Sequence, residues 1–378
     1  MRFWLLLLVL VTAIACQAED ERNSRDHYYE WNSASPAHQI SDSDRESPAR
    51  LRLEWIEWRR THGIARIYHD AMDEELHARV FEESELLVAE HNAVFMKGES
   101  TYELGINEFA DMTKEEFAKY RMSREAVSAR RQFSDSLNVT YDFGETDSSH
   151  SRAKRSLPTN VDWRTTGCST PVKDQAGCGS CYAFGVLGVV EFEMCRKTGM
   201  VLDLSEQFVV DCSYGIDRSG MNSGCDGGHE VIVMDYLNVH NAPPEHQYRY
   251  ISGVTGTHYA CRSPNTPGTN KMKYTKISSG NELRLQEAVA ALGPAVVSMS
   301  GENRDFQMFR GGIYSNSKCP KTVDHVVSAV GYGNGDGIDY WILRNSWGTT
   351  SGENGYGKIK RGVNQCGIVS DNSWTIKF

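Results

Sequence analysis

A cysteine, Cys181, follows a Gly-Ser turn and begins an apolar stretch that can form a helix, and Gln175 lies six residues before it. At the start of a helix, unpaired backbone N–H groups and the helix dipole favour the thiolate, which is the nucleophilic form of cysteine. A glutamine amide can donate a hydrogen bond to an oxyanion that develops on a substrate carbonyl. These two residues therefore predict nucleophilic catalysis by Cys181.

A cysteine nucleophile also needs a base, and the base needs a residue that orients it. His325 precedes the apolar run Val326–Val330, which indicates a strand that carries an imidazole at its beginning. Asn345 ends a second strand-like run and is followed by Ser-Trp-Gly. The sequence thus supplies a candidate base and a candidate orienting amide.

Other interpretations of these residues exist. Cys178 and Cys181 form a C-x-x-C pair, which could be a redox motif or half of a zinc site, but no second pair stands at a metal-ligand spacing. A histidine in an apolar strand is often only a core residue, and Asn-Ser-Trp could be only a turn. The occurrence of Gln, Cys, His and Asn together, each in its own local pattern, favours catalysis.

The order and local patterns of these residues resemble the papain family of cysteine peptidases, from about Leu157 to the C-terminus. The resemblance implies that Cys181 is the nucleophile and His325 the acid/base. It also implies that Asn345 orients the imidazole, and that Gln175 and the backbone N–H of Cys181 form the oxyanion hole. The reaction would be peptide hydrolysis through a thioester, which requires no metal and no organic cofactor.

The resemblance also indicates where a polypeptide substrate would bind. Gly227 and Gly228 would let an extended peptide approach the main chain, although an ordinary turn is the alternative. Asp371 would form the floor of the pocket for P2, the second residue before the scissile bond, and pair there with a guanidinium. We therefore expect a hydrophobic P2 preference with basic residues tolerated. The implied pocket and shielding residues are His229, Glu230, Ser298, Val323, Val326, Asp371 and, over the histidine–asparagine contact, Trp347.

Two positions depart from the family pattern, because Tyr182 and Ser351 stand where tryptophan is usual. Neither change removes a reacting group. The interval between Cys212 and Cys225 contains no histidine pair of the kind that an occluding loop uses to bind a substrate carboxylate. We therefore expect an endopeptidase.

Composition limits the classes of protein and the cell compartments that fit this chain. The chain has 378 residues and 40% hydrophobic content, which suits more than one domain and excludes a disordered protein. The net charge of −10 arises mostly before residue 156, and neither part is basic enough to indicate nucleic acid as a partner. Residues 1–18 predict a cleaved signal peptide, and no other run predicts a membrane span. We expect a soluble monomer of the secretory pathway, either extracellular or in a lysosomal or digestive lumen.

The cysteines agree with an oxidising compartment. Of ten, Cys16 lies in the signal peptide and Cys181 is the candidate nucleophile, which leaves an even number for four disulfides. Eight cysteines allow roughly a hundred pairings, among which the sequence alone does not choose. The family resemblance implies three common bridges and, from cathepsin B-like members, a fourth. These are Cys178–Cys225, Cys212–Cys261, Cys319–Cys366 and Cys168–Cys195.

The N-terminal part predicts an inhibitor. Residues 19–50 are polar without periodicity and indicate a flexible leader, whereas residues 51–118 carry apolar side chains at three- and four-residue spacing, which predicts amphipathic helices. The motif Gly-x-Asn-x-Phe-x-Asp at 105–111 resembles cathepsin L-type prosegments, and Thr113–Glu116 is a capping box. The resemblance implies a helical prodomain that inhibits the enzyme intramolecularly. The alternative is that these are surface helices of one large domain.

Residues 119–155 are polar again, and we interpret them as a linker. They contain a glycosylation sequon at Asn138 and end in a basic cluster, which predicts processing after Arg155 by a convertase. Autocatalytic cleavage and a merely solvated charge run are the alternatives.

For residues 156–378, a helical half followed by strand-like runs predicts an α+β domain. The resemblance implies a papain-like two-lobed fold, with a helical lobe, a β-barrel-like lobe and a cleft between them. A second hypothesis is a catalytically quiet binding or inhibitor protein on the same scaffold. The presence of all four reacting residues argues against it.

Overall fold

The computed structural model describes residues 48–62, 68–136, 157–215, 222–262 and 272–378. The chain divides into two units, Met1–Ile56 and Glu57–Phe378, and the described part of the first unit is helical. The predicted signal peptide, almost all of the polar leader, the Asn138 sequon and the Arg155 processing site lie outside the described residues. None of the described helices is long and apolar enough to cross a membrane.

The described residues form ten α-helices and nine β-strands. The helices are α1 Pro48–Thr61, α2 Ala71–Met96, α3 Lys114–Ala118, α4 Arg124–Ser136, α5 Cys181–Thr198, α6 Glu206–Cys212, α7 Glu230–Val239, α8 Ser252–Thr255, α9 Glu282–Ala291 and α10 Arg304–Gln307. The strands are β1 Tyr102–Leu104, β2 Val161–Asp162, β3 Lys273–Ile277, β4 Ala295–Met299, β5 Phe309–Gly312, β6 His325–Gly335, β7 Ile338–Arg344, β8 Tyr356–Lys360 and β9 Ser373–Lys377.

Helices predominate in the N-terminal segment, as its periodicity predicts. The capping box that starts α3 is present: Thr113 Oγ1 accepts from the N–H of Glu116, and the Glu116 carboxylate accepts from the N–H of Thr113. After α2, the chain forms β1, which pairs antiparallel with β5 of the C-terminal region. This pairing joins the two parts of the chain through backbone hydrogen bonds.

Helix α4 lies within the stretch that composition predicts to be a linker. Ser123 Oγ accepts from the N–H of Ala126 and so starts the helix. Ala126, Arg130 and Phe133 share one helix face at three- and four-residue spacing, and the apolar members pack against the core of the C-terminal region. The average composition of residues 119–155 does not reveal this apolar face, because most of the other residues in the segment are charged or small.

The C-terminal region places one buried helix against an open sheet. The sheet is antiparallel in the order β3-β9-β4-β6-β7-β8, with β2 added to β6, and its ends do not close into a barrel. Helix α5 packs on β6, and the approach is close because a Cβ on Gly185 would lie 2.7 Å from Cγ1 of Val326. The first residue of α5, Cys181, and the first residue of β6, His325, belong to these two packed elements. The prediction of an α+β domain with helical and strand-rich parts is confirmed.

Four disulfides form among the described cysteines, and their pairings are those that the family resemblance implies. The bridges Cys168–Cys195 and Cys178–Cys225 hold α5 and the loop before it. Cys181 remains a free, buried thiol. The redox interpretation of Cys178 with Cys181 is therefore excluded, because Cys178 is bonded to Cys225.

Candidate active site

Cys181 is the first residue of α5 and is completely buried. Burial raises the pKa of its thiol to about 12, against a hydrogen bond from the backbone of Val326 and the charge of Arg130, which both lower it. The thiol is therefore neutral in this state, even though the helix start would favour a thiolate in contact with solvent.

His325 is held in one orientation by its neighbours. Its Nε2 lies 2.7 Å from Oδ1 of Asn345, and the backbone N–H of Ser346 donates to the same Oδ1 at 2.8 Å. Because that atom accepts from Ser346, it is the amide oxygen, and Nε2 of His325 must carry the proton. The neutral imidazole consequently keeps a lone pair on Nδ1. This nitrogen is buried and has no hydrogen-bond partner among the described residues.

The surroundings of His325 exclude water. The indole of Trp347 stacks on the imidazole at 4.6 Å between ring centroids, and both side chains are buried. Burial lowers the pKa of His325 to about 4, although the hydrogen bond to Asn345 partly opposes the shift. His325, like Cys181, is therefore neutral in this state.

Gln175 is buried and its amide is fully engaged. Its Nε2 donates to the carbonyls of Tyr120 and Cys178, each at 2.9 Å, and its Oε1 accepts from Ser346 Oγ at 2.6 Å. Its own backbone N–H donates to the carbonyl of Ser346. Ser346 thus fixes both Gln175 and Asn345, and the sequence analysis missed this residue. Its position directly after Asn345 was the available signal.

The N-terminal segment lies against Gly179 and Asp324, which precede Cys181 and His325 in the chain. The N–H of Met122 donates to the carbonyl of Asp324 at 2.9 Å, and Arg121 pairs with the Asp324 carboxylate. A Cβ on Gly179 would lie 2.6 Å from the Arg121 carbonyl, so only glycine permits this approach. The neighbouring carbonyl of Tyr120 is the one that Gln175 holds. The segment therefore lies next to the Cys181 thiol and to the Gln175 amide that donates hydrogen bonds.

The 105–111 motif packs beside Trp347. Phe109 and Phe117 meet the indole edge-on at 5.9 and 5.2 Å between ring centroids. Asn107 donates from Nδ2 to the carbonyl of Gln307 at 2.8 Å, and its Oδ1 accepts from the N–H of Phe109. The asparagine thus links the phenylalanine to the C-terminal region, and the aromatic rings extend the cover over His325.

Arg130 of α4 fills the pocket that the sequence analysis outlined for P2. Its guanidinium donates to both carboxylate oxygens of Glu230 at 2.6 and 2.7 Å, to Asp371 at 2.9 Å and to Ser298 at 2.7 Å. Burial opposes its charge, but the two carboxylates raise the pKa of Arg130 above its usual value. Sequence reasoning missed Arg130, whose signal was its place on the apolar face of α4.

The remaining predicted substrate-binding residues differ in how far they are buried. His229 and Val326 are buried, whereas Val323 is only partly buried. Met122 and Ala126 cover Gly227, since a Cβ there would lie 3.0 and 2.8 Å from them. The N-terminal segment therefore covers much of the predicted substrate surface.

Tyr182 and Ser351 fit the interior of the C-terminal region. Tyr182 is fully buried, donates to the carbonyl of Gly224 at 3.1 Å and places its ring 2.7 Å from where a Cβ on Gly228 would stand. Gly228 therefore has to be glycine beside this ring. Ser351 is buried, and its carbonyl accepts from the N–H of Gly355. The described residues hold no group of three or more His, Cys, Asp or Glu side chains suited to a metal ion.

Comparison with known proteins identifies both parts of the chain. A family described as papain family cysteine protease matches residues 157–376, and the cathepsin propeptide inhibitor domain matches residues 55–117. Cathepsin S of Mus musculus is 36% identical over 321 residues, with 85% of this chain and 89% of the relative covered. The cathepsin L-like proteinase of Fasciola hepatica is 38% identical over 324 residues, with 84% and 90% covered.

Solved structures of related proenzymes are similar to the structure of this chain. Digestive procathepsin L 3 of the Tenebrio molitor larval midgut superposes with a TM-score of 0.70 at 32% identity, covering 87% of this chain and 99% of that chain. The ragweed pollen allergen Amb a 11, a cysteine protease in its proform, gives a TM-score of 0.73 at 28% identity, covering 89% and 97%. The chain belongs to the papain family of cysteine peptidases, and it is a cathepsin L-like endopeptidase zymogen that carries its own inhibitory prosegment.

Proposed function

We propose that the enzyme hydrolyses peptide bonds through a thioester on Cys181. The observation that carries this proposal is the orientation of His325, whose Nε2 proton is held by Asn345 while Nδ1 is left without a partner. A base in this state can accept the thiol proton. With the prosegment gone and solvent admitted, the thiolate and imidazolium would stabilise one another's charge.

In this mechanism Cys181 attacks the scissile carbonyl, and the negative charge develops on the carbonyl oxygen. The Nε2 of Gln175 and the backbone N–H of Cys181 donate to it, and one such donor is typically worth about 3–4 kcal/mol. His325 then protonates the leaving amine. It next takes a proton from the incoming water, which attacks the thioester carbonyl; the C–S bond breaks, the carboxylic acid leaves and the Cys181 thiolate regains the proton from His325. In the zymogen the Tyr120 carbonyl already accepts from Nε2 of Gln175, so that donor is not free for a substrate oxyanion.

The substrates in this proposal are polypeptides, bound in extended form along Gly227 and Gly228, with apolar and basic P2 residues both accepted. Val326 offers an apolar wall and Asp371 a carboxylate. We place the enzyme in the secretory pathway as a monomer, outside the cell or in a lysosomal or digestive lumen, and its cleavage after Arg155 would release the prosegment. The apolar N-terminus and a Homarus americanus relative named digestive cysteine proteinase support that compartment.

A direct test combines turnover with labelling of the thiol. The acid-activated enzyme should cleave a dipeptide reporter and bind one equivalent of an epoxide-type active-site probe at Cys181. Cys181→Ala should abolish both, and Asn345→Ala should lower kcat while the disulfides and fold stay intact. Undiminished turnover by Cys181→Ala would disprove the thioester mechanism.

A further inference from the structure

We propose that Glu230 is the residue that selects arginine at P2, and that Arg130 of the prosegment is the arginine it holds in the zymogen. The inference rests on the proposed function, because it assumes that the pocket around Glu230 receives the P2 side chain. It goes further by ranking arginine first among P2 residues and by giving the main role to Glu230, where the sequence analysis gave it to Asp371.

The contacts of Arg130 match those of a complete arginine site. Nη1 and Nη2 each bond one oxygen of the Glu230 carboxylate, which is the bidentate fork geometry. Nη2 also donates to Ser298 Oγ, and that hydroxyl donates in turn to Glu230 at 2.9 Å. Nε donates to Asp371, and Nη1 lies 3.4 Å from the carbonyl of Gly228. Every nitrogen of the guanidinium therefore has an acceptor.

Because the ion pair is buried, its geometry can discriminate between different P2 side chains. Arg130 is 1% exposed and Glu230 is fully buried. A buried carboxylate that loses its partner keeps the cost of desolvation without the compensating attraction. When the prosegment leaves, Glu230 remains at the bottom of a pocket shaped for a planar fork. A substrate arginine restores each contact, lysine offers a point charge without the fork, and leucine offers none.

The neighbours of Glu230 do not replace the missing cation. His229 lies 3.4 Å from it through Nδ1, but that nitrogen accepts from the N–H of Val231, and burial holds the pKa of His229 well below its usual value. In the zymogen the histidine is therefore neutral, and its Nδ1 can take up a proton only if the hydrogen bond from Val231 is broken. A cation for Glu230 has to enter from outside, as Arg130 does in the zymogen.

Asp371 contributes less than Glu230 to arginine binding, because it has hydrogen-bond partners other than Arg130. It receives one bond from Arg130, is 11% exposed, and also accepts from the N–H of Asn372 at 2.7 Å. Ser134 of the prosegment lies 3.3 Å from the same oxygen that Arg130 contacts. Loss of the Asp371 charge should consequently disturb arginine binding less than loss of the Glu230 charge.

The test uses mature enzyme made from the full-length zymogen, with reporters that carry Arg, Lys or Leu at P2 and Arg at P1. The wild type should favour Arg over both Lys and Leu by roughly ten-fold or more in kcat/KM. Glu230→Gln should lower the Arg-to-Leu ratio by roughly thirty-fold or more, and Asp371→Asn by less than about five-fold. Glu287→Gln on the surface of α9 is the matched control and should keep the wild-type ratio.

A second arm leaves the mature sequence unaltered. Arg130→Lys in the intact zymogen should speed epoxide labelling of Cys181 by roughly ten-fold or more, because lysine cannot bond both oxygens of Glu230. The mature enzyme released from this variant must show the wild-type substrate ratio.

The outcomes separate the two proposals. Efficient cleavage of the Leu reporter without an Arg preference, or an equal loss of ratio in Glu230→Gln and Asp371→Asn, would overturn the role of Glu230 and leave the proposed function intact. A wild type that labels at Cys181 but cleaves none of the three reporters would overturn both.

Discussion

Two parts of the prosegment hold the enzyme by different physical means. The anchor segment, residues 102–119, adds a strand to β5 and packs aromatic rings against Trp347. The plug segment, residues 120–134, covers the amide of Gln175 and the proposed P2 pocket, where Arg130 pairs with Glu230, and Arg121 pairs with Asp324. The anchor relies on apolar contacts and backbone hydrogen bonds, whereas the plug adds buried ion pairs to contacts of the same kinds.

We infer from this difference that the anchor keeps the prosegment attached and that the plug blocks the active site. Apolar burial changes little between neutral and acidic pH, whereas buried titratable groups bind or release protons when a cover is lifted. The plug brings Arg121 close to His325, whereas the anchor reaches His325 only through the indole of Trp347. Acid should therefore lift the plug first, while the anchor keeps the prosegment attached. Labelling of Cys181 in the uncleaved zymogen measures this opening when it is divided by the rate for the mature enzyme.

The largest expected effect comes from the anchor. Phe109 is 1% exposed and contacts Phe117, Tyr120 and Trp347. Phe109→Ala removes a buried ring, which typically costs about 3–5 kcal/mol, so labelling at neutral pH should rise more than about a hundred-fold. Leu86→Ala, at an exposed position of α2, is the control and should label like the wild type. An unchanged rate for Phe109→Ala would mean that the plug holds the prosegment without the anchor.

The second prediction is a pH dependence that belongs to the plug. In the closed zymogen the pKa of His325 is about 4, whereas an accessible histidine titrates near about 6.5. If the Cys181 thiol keeps its proton on opening, the open state binds more protons between these values, so closure is complete above the higher pKa and weakens as pH falls towards the lower. The full window is worth roughly 3 kcal/mol, or up to about ten-fold in opening per pH unit.

The measurement is the normalised labelling rate from pH 7 to pH 4, together with hydrogen exchange. The rate should rise steadily through the window, while the amides of β1 and β5 keep their protection. A flat rate would show either that His325 is already open to solvent in the zymogen or that its proton comes from the Cys181 thiol on opening. Loss of β1 and β5 protection in step with labelling would show that anchor and plug open as one unit.

The anchor was largely predictable from the sequence, as were the positions of Cys181 at a helix start and His325 at a strand start. Gln175, Cys181, His325 and Asn345 lie in local patterns, each of which covers only a few consecutive residues. The 105–111 motif and the capping box at Thr113 are local in the same way. Disulfide pairings needed the family resemblance, because spacing alone leaves many combinations.

The plug was not predictable, because its contacts join residues that are far apart along the chain. Arg130 meets Glu230 and Asp371 across 100 and 241 positions, and in the sequence Arg130 alone resembles an ordinary surface charge. Ser346 is another case, since its role depends on Gln175 lying 171 positions away. Composition over 119–155 even indicated a linker, since a few apolar residues on one face of α4 scarcely alter the average.

The smallest predicted effect concerns a charge that serves the anchor. Arg304 donates from Nη2 to the carbonyl of Ala110 at 3.1 Å and to Ser84 Oγ at 2.5 Å, and burial lowers its pKa to about 10, so it remains charged. Arg304→Met keeps the apolar stem and removes the donors. Hydrogen bonds from a charged group are worth about 1.5–3 kcal/mol, so labelling at neutral pH should rise about ten-fold to a hundred-fold.

Arg310→Met is the matched control for Arg304, because Arg310 also faces the anchor, through Glu103, but at 3.7 Å and 44% exposed. An exposed pair of this kind contributes about 0–1 kcal/mol, so labelling should change less than about five-fold. The acid response should stay wild-type in both variants, since neither touches the plug. If Arg304→Met instead shifted the pH at which labelling rises, then the anchor would also respond to acid, and attachment and blockage would no longer be separate functions of two segments.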